Sequence, residues 1–217
     1  MKILFQNEHF VAVDKPSGLL TTPARFGEKD PRPVLGLELQ TKLEKQIFPV
    51  HRLDFEVSGL VLFALSASAH SEANRLFETK KVQKIYQALS ENQNSNPSLE
   101  KLENQDFEWK ARILRGKKRA FESPHGKPSL TRARLLGREG EFLKWELRPV
   151  TGRPHQLRFD LSRHGFPIVG DVLYGAQSQK ETQKIELRSI SLEFLDSDFC
   201  KRWSLPPILQ TEPLFHR

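Results

Sequence analysis

Cysteine is the scarcest informative residue: Cys200 is the one thiol in 217 residues. That excludes an internal disulfide and a zinc site built from several cysteines, and it fits a reducing compartment. No apolar run approaches the roughly 18 residues that a membrane span requires, and Met1-Lys2 leads into a strand-like pattern rather than a signal peptide. A cytoplasmic protein with no membrane partner is therefore expected. Also missing are a phosphate-cradling P-loop, a zinc-type histidine cluster, the Gly-x-Ser-x-Gly elbow of serine hydrolases and any long internal repeat. What is in excess is positive charge, 34 Lys and Arg against 27 Asp and Glu. A net charge of +7 favours an anionic partner, most simply nucleic acid, without naming a reaction. The length suits one large domain, or one with a lobed sheet, rather than several independent units.

In chain order, Ile3-Leu4-Phe5 and Phe10-Val11-Ala12-Val13 flank a polar tip and read as a hairpin. Pro16 and Gly18 then mark a tight turn. Residues 21–33 carry Pro23, Gly27, Pro31 and Pro33 and read as an exposed loop, while Leu35 to Leu43 fits a short helix or a mixed segment. Ser66 to Lys81 has helical spacing, with Ala69, Ala73, Leu76 and Phe77 on one face and Lys80 and Lys81 late, as the macrodipole prefers. Val82 to Leu89 alternates, setting Lys84, Tyr86 and Ala88 opposite Ile85, Gln87 and Leu89. Residues 91–105 read as a surface loop, and Phe107 to Ile113 as a strand. Arg115-Gly116-Lys117-Lys118-Arg119 packs four cations into five residues; such a run is most often solvated surface, and on an RNA-binding protein it contacts phosphate. Thr131 to Gly137 and Phe142 to Pro149 read as a long hairpin. It delivers a helix with Pro154 in its first turn, Leu157 and Leu161 buried, His155 and Arg158 on one face and Gly165 at its end. Ile185 to Leu195 reads as a closing strand and Pro206-Pro207 as the start of an extended surface tail.

The most informative stretch is His51-Arg52-Leu53-Asp54-Phe55-Glu56-Val57-Ser58-Gly59-Leu60, which sets charged and turn-forming residues between two apolar runs. The second run, Leu60 to Leu65, reads as a buried strand. Asp54 therefore lies at its entrance, half supported by packing and half open, a usual place for a reactive carboxylate. Taken alone, Arg52 and Asp54 would read as turn-capping charges. The whole string, however, closely resembles the His-Arg-Leu-Asp-x-x-Thr-Ser-Gly-Leu signature of the RluA family of pseudouridine synthases, with Val57 where Thr is usual. Lys84-Ile85-Tyr86-Gln87-Ala88 resembles the same family's Lys-x-Tyr-x-Ala motif. Thr151-Gly152-Arg153-Pro154-His155-Gln156-Leu157-Arg158 resembles its Thr-Gly-Arg-x-His-Gln-Ile-Arg motif, with Pro154 in a slot usually held by Thr and Leu157 for Ile. Asp14 to Leu20 and Gly165 to Gly175 also match in order, although the glycines and Asp171 of the latter read as turn-formers, and Asp160 replaces a common His. The resemblance runs from about residue 11 to 175 and is weakest over 90–130.

The resemblance implies an α+β catalytic domain on a mixed, mainly antiparallel sheet with flanking helices, occupying 1–217 as a single domain. It leaves no room before Lys15 for the small N-terminal RNA-binding domain of many relatives, so target choice would rest on the catalytic domain. The implied activity is isomerisation of a uridine in a ribosomal or transfer RNA stem-loop by a monomer, with no metal and no organic cofactor. Asp54 would be the essential carboxylate, Arg158 its pairing guanidinium and Tyr86 the residue that stacks on the target base. His51, Arg52, Arg153, His155, Gln156, Lys117, Lys118 and Arg119 are the expected substrate contacts.

The chemistry is consistent with one acid. Glycoside hydrolysis typically uses two carboxylates, whereas here the departing uracil spreads its charge over two carbonyls and is recaptured through C5. The target nucleotide must leave its stack to be reached. Two other readings stand against the isomerase. A non-catalytic RNA-binding protein on the same scaffold would be favoured if Asp54, Tyr86 or Arg158 were absent, and a nucleoside or glycoside hydrolase is disfavoured by the lack of a second carboxylate motif.

Overall fold

The computed structural model describes residues 1–23, 30–93, 103–178 and 184–216. Parts of the two expected loops, 24–29 and 94–102, lie outside the described residues. The chain forms two compact units, one of Met1–Gln83 with Ser189–Glu212 and one of Lys84–Arg188 with Pro213–Arg217.

The first unit begins with the expected hairpin, β1 (Lys2–Gln6) and β2 (Phe10–Lys15). Helix α1 (Leu35–Leu43) follows, then the short β3 (Phe48–Pro49), β4 (Ser58–Ala64) and helix α2 (Ala67–Glu78). β4 pairs antiparallel with β2 and β3. Its side chains from Gly59 to Ala64 are buried on both faces, which is why the sequence runs apolar there instead of alternating. Leu60, Leu62 and Ala64 join Phe10, Ala12, Ala69, Ala73 and Leu76 in one core cluster, so α2 covers that face with the stripe expected for it. The opposite face meets α1, where Gly36 lies in reach of Phe63 while Leu35 and Leu39 are fully buried. The undecided segment is therefore a helix. α2 starts where Ser66 Oγ accepts from the Ala69 N–H at 3.2 Å. It stops before the two late lysines because Lys80 turns left-handed (φ 59°) and the Lys81 N–H donates back to Leu76.

The second unit holds β5 (Val82–Ser90), β6 (Asp106–Arg115), β7 (Ala120–Glu122), β8 (Lys127–Glu139), β9 (Phe142–Pro149) and helix α3 (Gln156–Arg163). These strands lie in the order β5-β9-β8-β6-β7, antiparallel throughout. β6 and β8 alternate buried and exposed residues, and Trp109, Leu135 and Trp145 fill the buried side. Trp145 Nε1 donates to the buried Ser90 Oγ at 2.8 Å, so the indole is both packed and satisfied. β5 departs from the expected two-faced strand because Gln87 is buried as well, its amide oxygen accepting from the Leu214 and Phe215 N–H groups. α3 begins later than expected: His155 is left-handed (φ 55°), which places Pro154 in the turn ahead of the helix. Leu157 and Leu161 are buried and Gly165 (φ 82°) follows the end, as the pattern indicated.

The chain returns to the first unit with β10 (Leu187–Phe194), which adjoins β4, then helix α4 (Ser197–Arg202) and β11 (Ile208–Gln210). The tail is not the extended surface segment that Pro206-Pro207 suggested. Phe199, Cys200, Leu205 and Leu209 join the core, β11 pairs with β10, and Pro207 contributes only its carbonyl, which accepts from the Phe194 N–H. A six-residue helix and a three-residue strand are shorter than any window in which periodicity can be read. The fold is α+β with a mainly antiparallel sheet, as expected.

Candidate active site

In the first unit the β2–β4 pairing sets Lys15 opposite Gly59, so the turn leaving β2 and the segment entering β4 meet at one end of the strands. Three side-chain and backbone ties then fasten that segment. Thr21 Oγ1 donates to the Leu53 carbonyl and accepts from the Leu53 N–H, both at 3.0 Å, and the Gly18 N–H donates to the Phe55 carbonyl at 2.9 Å. The fully buried Lys15 ammonium donates to the carbonyls of Leu19 (2.7 Å), Pro16 (3.0 Å) and Phe55 (3.4 Å). Burial pushes Lys15 down from 10.5 to about 8, against the opposing pull of the Asp54 and Glu56 carboxylates. Asp54 thus sits half-buried on a turn closed by its own carbonyl to the Val57 N–H, between two residues whose backbones are tied down.

β4 starts at Ser58, so Asp54 precedes the strand as expected, and Arg52 is exposed on the irregular segment ahead of it. His51 faces the protein instead: its Nε2 accepts from the Leu62 N–H at 3.1 Å and its ring stacks on Phe77. Val57, in the slot usual for Thr, is buried. Arg32, paired with Asp30 at 2.6 Å, lies over the Phe55 ring, 5.0 Å from its centre. Lys15, inside the matched run Asp14 to Leu20, and Thr21 just after it were given no part in the site by the motif reading. The signal available was a lysine ending an otherwise apolar strand.

In the second unit Arg158, 2% exposed, is gripped by Asp171, 1% exposed: Nε donates to one carboxylate oxygen at 2.7 Å and an NH2 nitrogen to the other at 2.8 Å. Asp171 is therefore more than the turn-former it was taken for. The Arg158 guanidinium also lies 5.3 Å from the centre of the Tyr174 ring, in the 3-10 turn Val172–Tyr174. Tyr174 Oη accepts from the Ala120 N–H at 2.7 Å and lies 3.1 Å from His155 Nδ1. His155 and Arg158 are thus brought together around Tyr174, although not by sharing a helical face. Burial pushes the Tyr174 phenol up.

Gln156 is buried with its amide committed internally. Its oxygen accepts from Thr151 Oγ1 (2.7 Å) and the Arg153 N–H (3.0 Å), and its nitrogen donates to Thr131 Oγ1 (2.8 Å) and the Leu130 carbonyl (3.1 Å). This corrects its expected role: it shapes the Thr-Gly-Arg turn and has no amide valence left for substrate. Thr131 in turn donates to Asp160 Oδ2 at 2.7 Å, and burial raises that carboxyl to about 6. The half-buried Arg153 donates to the Pro128 carbonyl. Tyr86 is 8% exposed on β5, opposite Leu147 of β9. Two residues before it Lys84 reaches the Thr151 carbonyl at 3.3 Å, and burial lowers this lysine to about 8. Lys117, Lys118 and Arg119 are exposed at the tip joining β6 to β7. Among the described residues, no group of three or more His, Cys, Asp or Glu is placed to hold a metal ion, and no helix is long and apolar enough to cross a membrane.

The sequence pattern of one enzyme class, RNA pseudouridylate synthase, matches residues 9–163. The dual-specificity RNA pseudouridine synthase RluA of Pasteurella multocida is 37% identical over 187 residues, 83% of this chain and 80% of that protein. The tRNA pseudouridine synthase C of Vibrio parahaemolyticus is 30% identical over 191 residues, 81% of this chain and 74% of its own length. Among solved structures, human RNA pseudouridylate synthase domain containing 1 superposes with a TM-score of 0.69 at 25% identity, over 89% of this chain and 78% of that one. The chain belongs to the RNA pseudouridylate synthases, within their RluA family, and is an isomerase acting on uridine in RNA.

Proposed function

We propose that this chain isomerises a defined uridine to pseudouridine in a stem-loop of ribosomal or transfer RNA, acting as a cytoplasmic monomer. Asp54 is the essential carboxylate. Tyr86 stacks on the base once it is flipped out, Arg158 supplies the guanidinium that the family motif pairs with the carboxylate, and Arg52 with the Lys117-Lys118-Arg119 tip contacts the RNA. The observation that carries the reading is the Asp54 turn: a half-open carboxylate whose flanking residues Leu53 and Phe55 are tied by Thr21, Gly18 and a buried lysine. Such anchoring fixes a reactive group before substrate arrives, which lowers the reorganisation needed in the reaction. The names of the relatives, a dual-specificity RNA pseudouridine synthase from Pasteurella and a tRNA pseudouridine synthase from Vibrio, support RNA as the substrate class.

The test uses a uridine stem-loop tritiated at C5 of the target base. Label escapes to solvent in step with pseudouridine formation while free uracil stays at background, and Asp54→Asn, which removes charge and almost no volume, stops both. Stoichiometric free uracil would mean that water rather than C5 takes the sugar carbon. Turnover of Asp54→Asn within tenfold of the parent would remove Asp54 from the chemistry.

A further inference from the structure

The hairpin formed by β6 and β7 carries more than charge. Its cross-strand pair Leu114 and Phe121 is apolar and exposed, 38% and 43% respectively, although β7 is a three-residue strand at the end of the strand order. Exposed apolar side chains on an edge strand invite unwanted pairing, so their presence calls for a use. The Phe121 ring lies down on Gly116, where an added Cβ would stand 3.0 Å from the ring edge and 2.9 Å from the Arg119 carbonyl. The absence of that Cβ lets one part of the ring rest on backbone while the rest stays open. Among the described residues no second ring and no cation is placed over Phe121.

Around this ring stand Arg115, Lys117, Lys118 and Arg119, all exposed and none in an ion pair among the described residues. The nearest acid on the strand, Glu122, is matched by Arg163 at 3.4 Å. The hairpin is also fixed in place: Ala120, between Arg119 and Phe121, donates to Tyr174 Oη, the phenol that contacts His155 and carries Arg158 over its ring. A flat apolar ring set among cations outside any ion pair, on a strand anchored to Tyr174 and through it to His155 and Arg158, is what a sequence-tolerant single-stranded RNA platform needs, stacking for a base and charge for its phosphates.

We infer that Phe121 is a stacking platform for an unpaired RNA base other than the target uridine, with Leu114 extending it and the four cations holding the adjoining phosphates. The inference rests on the proposed RNA substrate and adds to it a second base contact. A protein partner or a second copy of this chain on the same face are the competing occupants, and the test separates them.

Full-length protein and the variants Phe121→Ala, Phe121→Leu and Phe121→Trp are compared on stem-loops with 2-aminopurine placed at successive unpaired positions. Phe121→Ala weakens binding roughly 5- to 150-fold, the range expected from losing one base-aromatic stack, and leaves the slope of affinity against salt unchanged because no charge is removed. Phe121→Trp restores affinity and Phe121→Leu does not. One 2-aminopurine position is quenched by the parent and by Phe121→Trp but not by Phe121→Ala. Thermal unfolding shifts only slightly, since the residue is 43% exposed. Unaltered affinity and quenching in Phe121→Ala, or full rescue by Leu, would overturn the stacking role, as would a change in sedimentation that moves this face to self-association. A parent enzyme that forms pseudouridine while Phe121→Ala binds normally would end this inference and leave the proposed function intact. Failure of the parent itself to bind and isomerise RNA would instead end the function.

Discussion

Replacing Asp171 by Asn tests how Arg158 is held. Both partners are almost wholly shielded, and the carboxylate takes two parallel bonds of 2.7 and 2.8 Å from the guanidinium. The amide removes the charge and turns an N–H toward the guanidinium, so a buried cation loses its bidentate partner. Breaking a buried pair in this way typically costs about 3–5 kcal/mol. For a chain of this length, at about 2–4 °C per kcal/mol, the melting temperature should fall by roughly 6–20 °C. Removing both charges of this pair is a different perturbation, because neither member is left facing an apolar or amide partner: Arg158→Met with Asp171→Leu should return stability to within about 1 kcal/mol of the parent or above it. Activity should separate from stability in that double variant, with pseudouridine formation lost while the unfolding curve recovers. Thermal and urea unfolding beside the tritium assay measure both. An Asp171→Asn protein within about 1 kcal/mol of the parent would show that the pair does not carry the burial of Arg158.

Lys15 titrates near 8 in the folded protein and near 10.5 otherwise. Between these values the unfolded chain binds more protons, so stability should rise with pH by up to about 3 kcal/mol. Lys15→Met should flatten that rise in urea titrations at pH 7.5, 9 and 10, with the similarly placed Lys84 contributing its own share. Asp160 has the opposite sign: raised from 3.8 to about 6, it binds protons in the folded state that the unfolded chain has released. Stability therefore falls by up to about 3 kcal/mol as pH climbs from 4 to 6, and Asp160→Asn should remove that fall. Gly59→Ala should destabilise by more than about 3 kcal/mol, because φ is +114° and the new Cβ would overlap the Ser189 backbone of β10; a parent-like urea midpoint would refute the close approach. Tyr174→Phe keeps the ring under Arg158 but drops the bond to Ala120, so pseudouridine formation should fall while melting shifts by only about 2–4 °C, for a lost bond of about 1 kcal/mol.

The elements that were legible in the sequence are those with long, one-sided patterns: β4 as an unbroken apolar run, α2 from its Ala69-Ala73-Leu76 stripe, the β8–β9 hairpin from its alternation. The motif residues were legible because their spacing is peculiar to one family. What stayed hidden depends on partners distant in the chain. Lys15 reads as a surface cation until three carbonyls are seen around it, and Asp171 reads as a turn residue until Arg158 reaches it. Gln156 was assigned to substrate as a member of the family motif, and only the four internal bonds show that it is spent on the turn. His155 was placed on a helical face by counting, but its left-handed backbone moves the ring to Tyr174 by another route.

The unit that bears Asp54 is completed by Ser189–Glu212, supplied more than a hundred residues after the motif itself. During synthesis the ribosome therefore releases the motif, then all of residues 84–188, before β10 exists to lie against β4 where Gly59 meets Ser189. A nascent chain cannot close the core of that unit until Ser189–Glu212 has emerged. Premature termination or a nick near residue 188 should thus leave a carboxylate on an unfinished sheet, and the catalytic motif is armed only once Ser189–Glu212 has joined its unit.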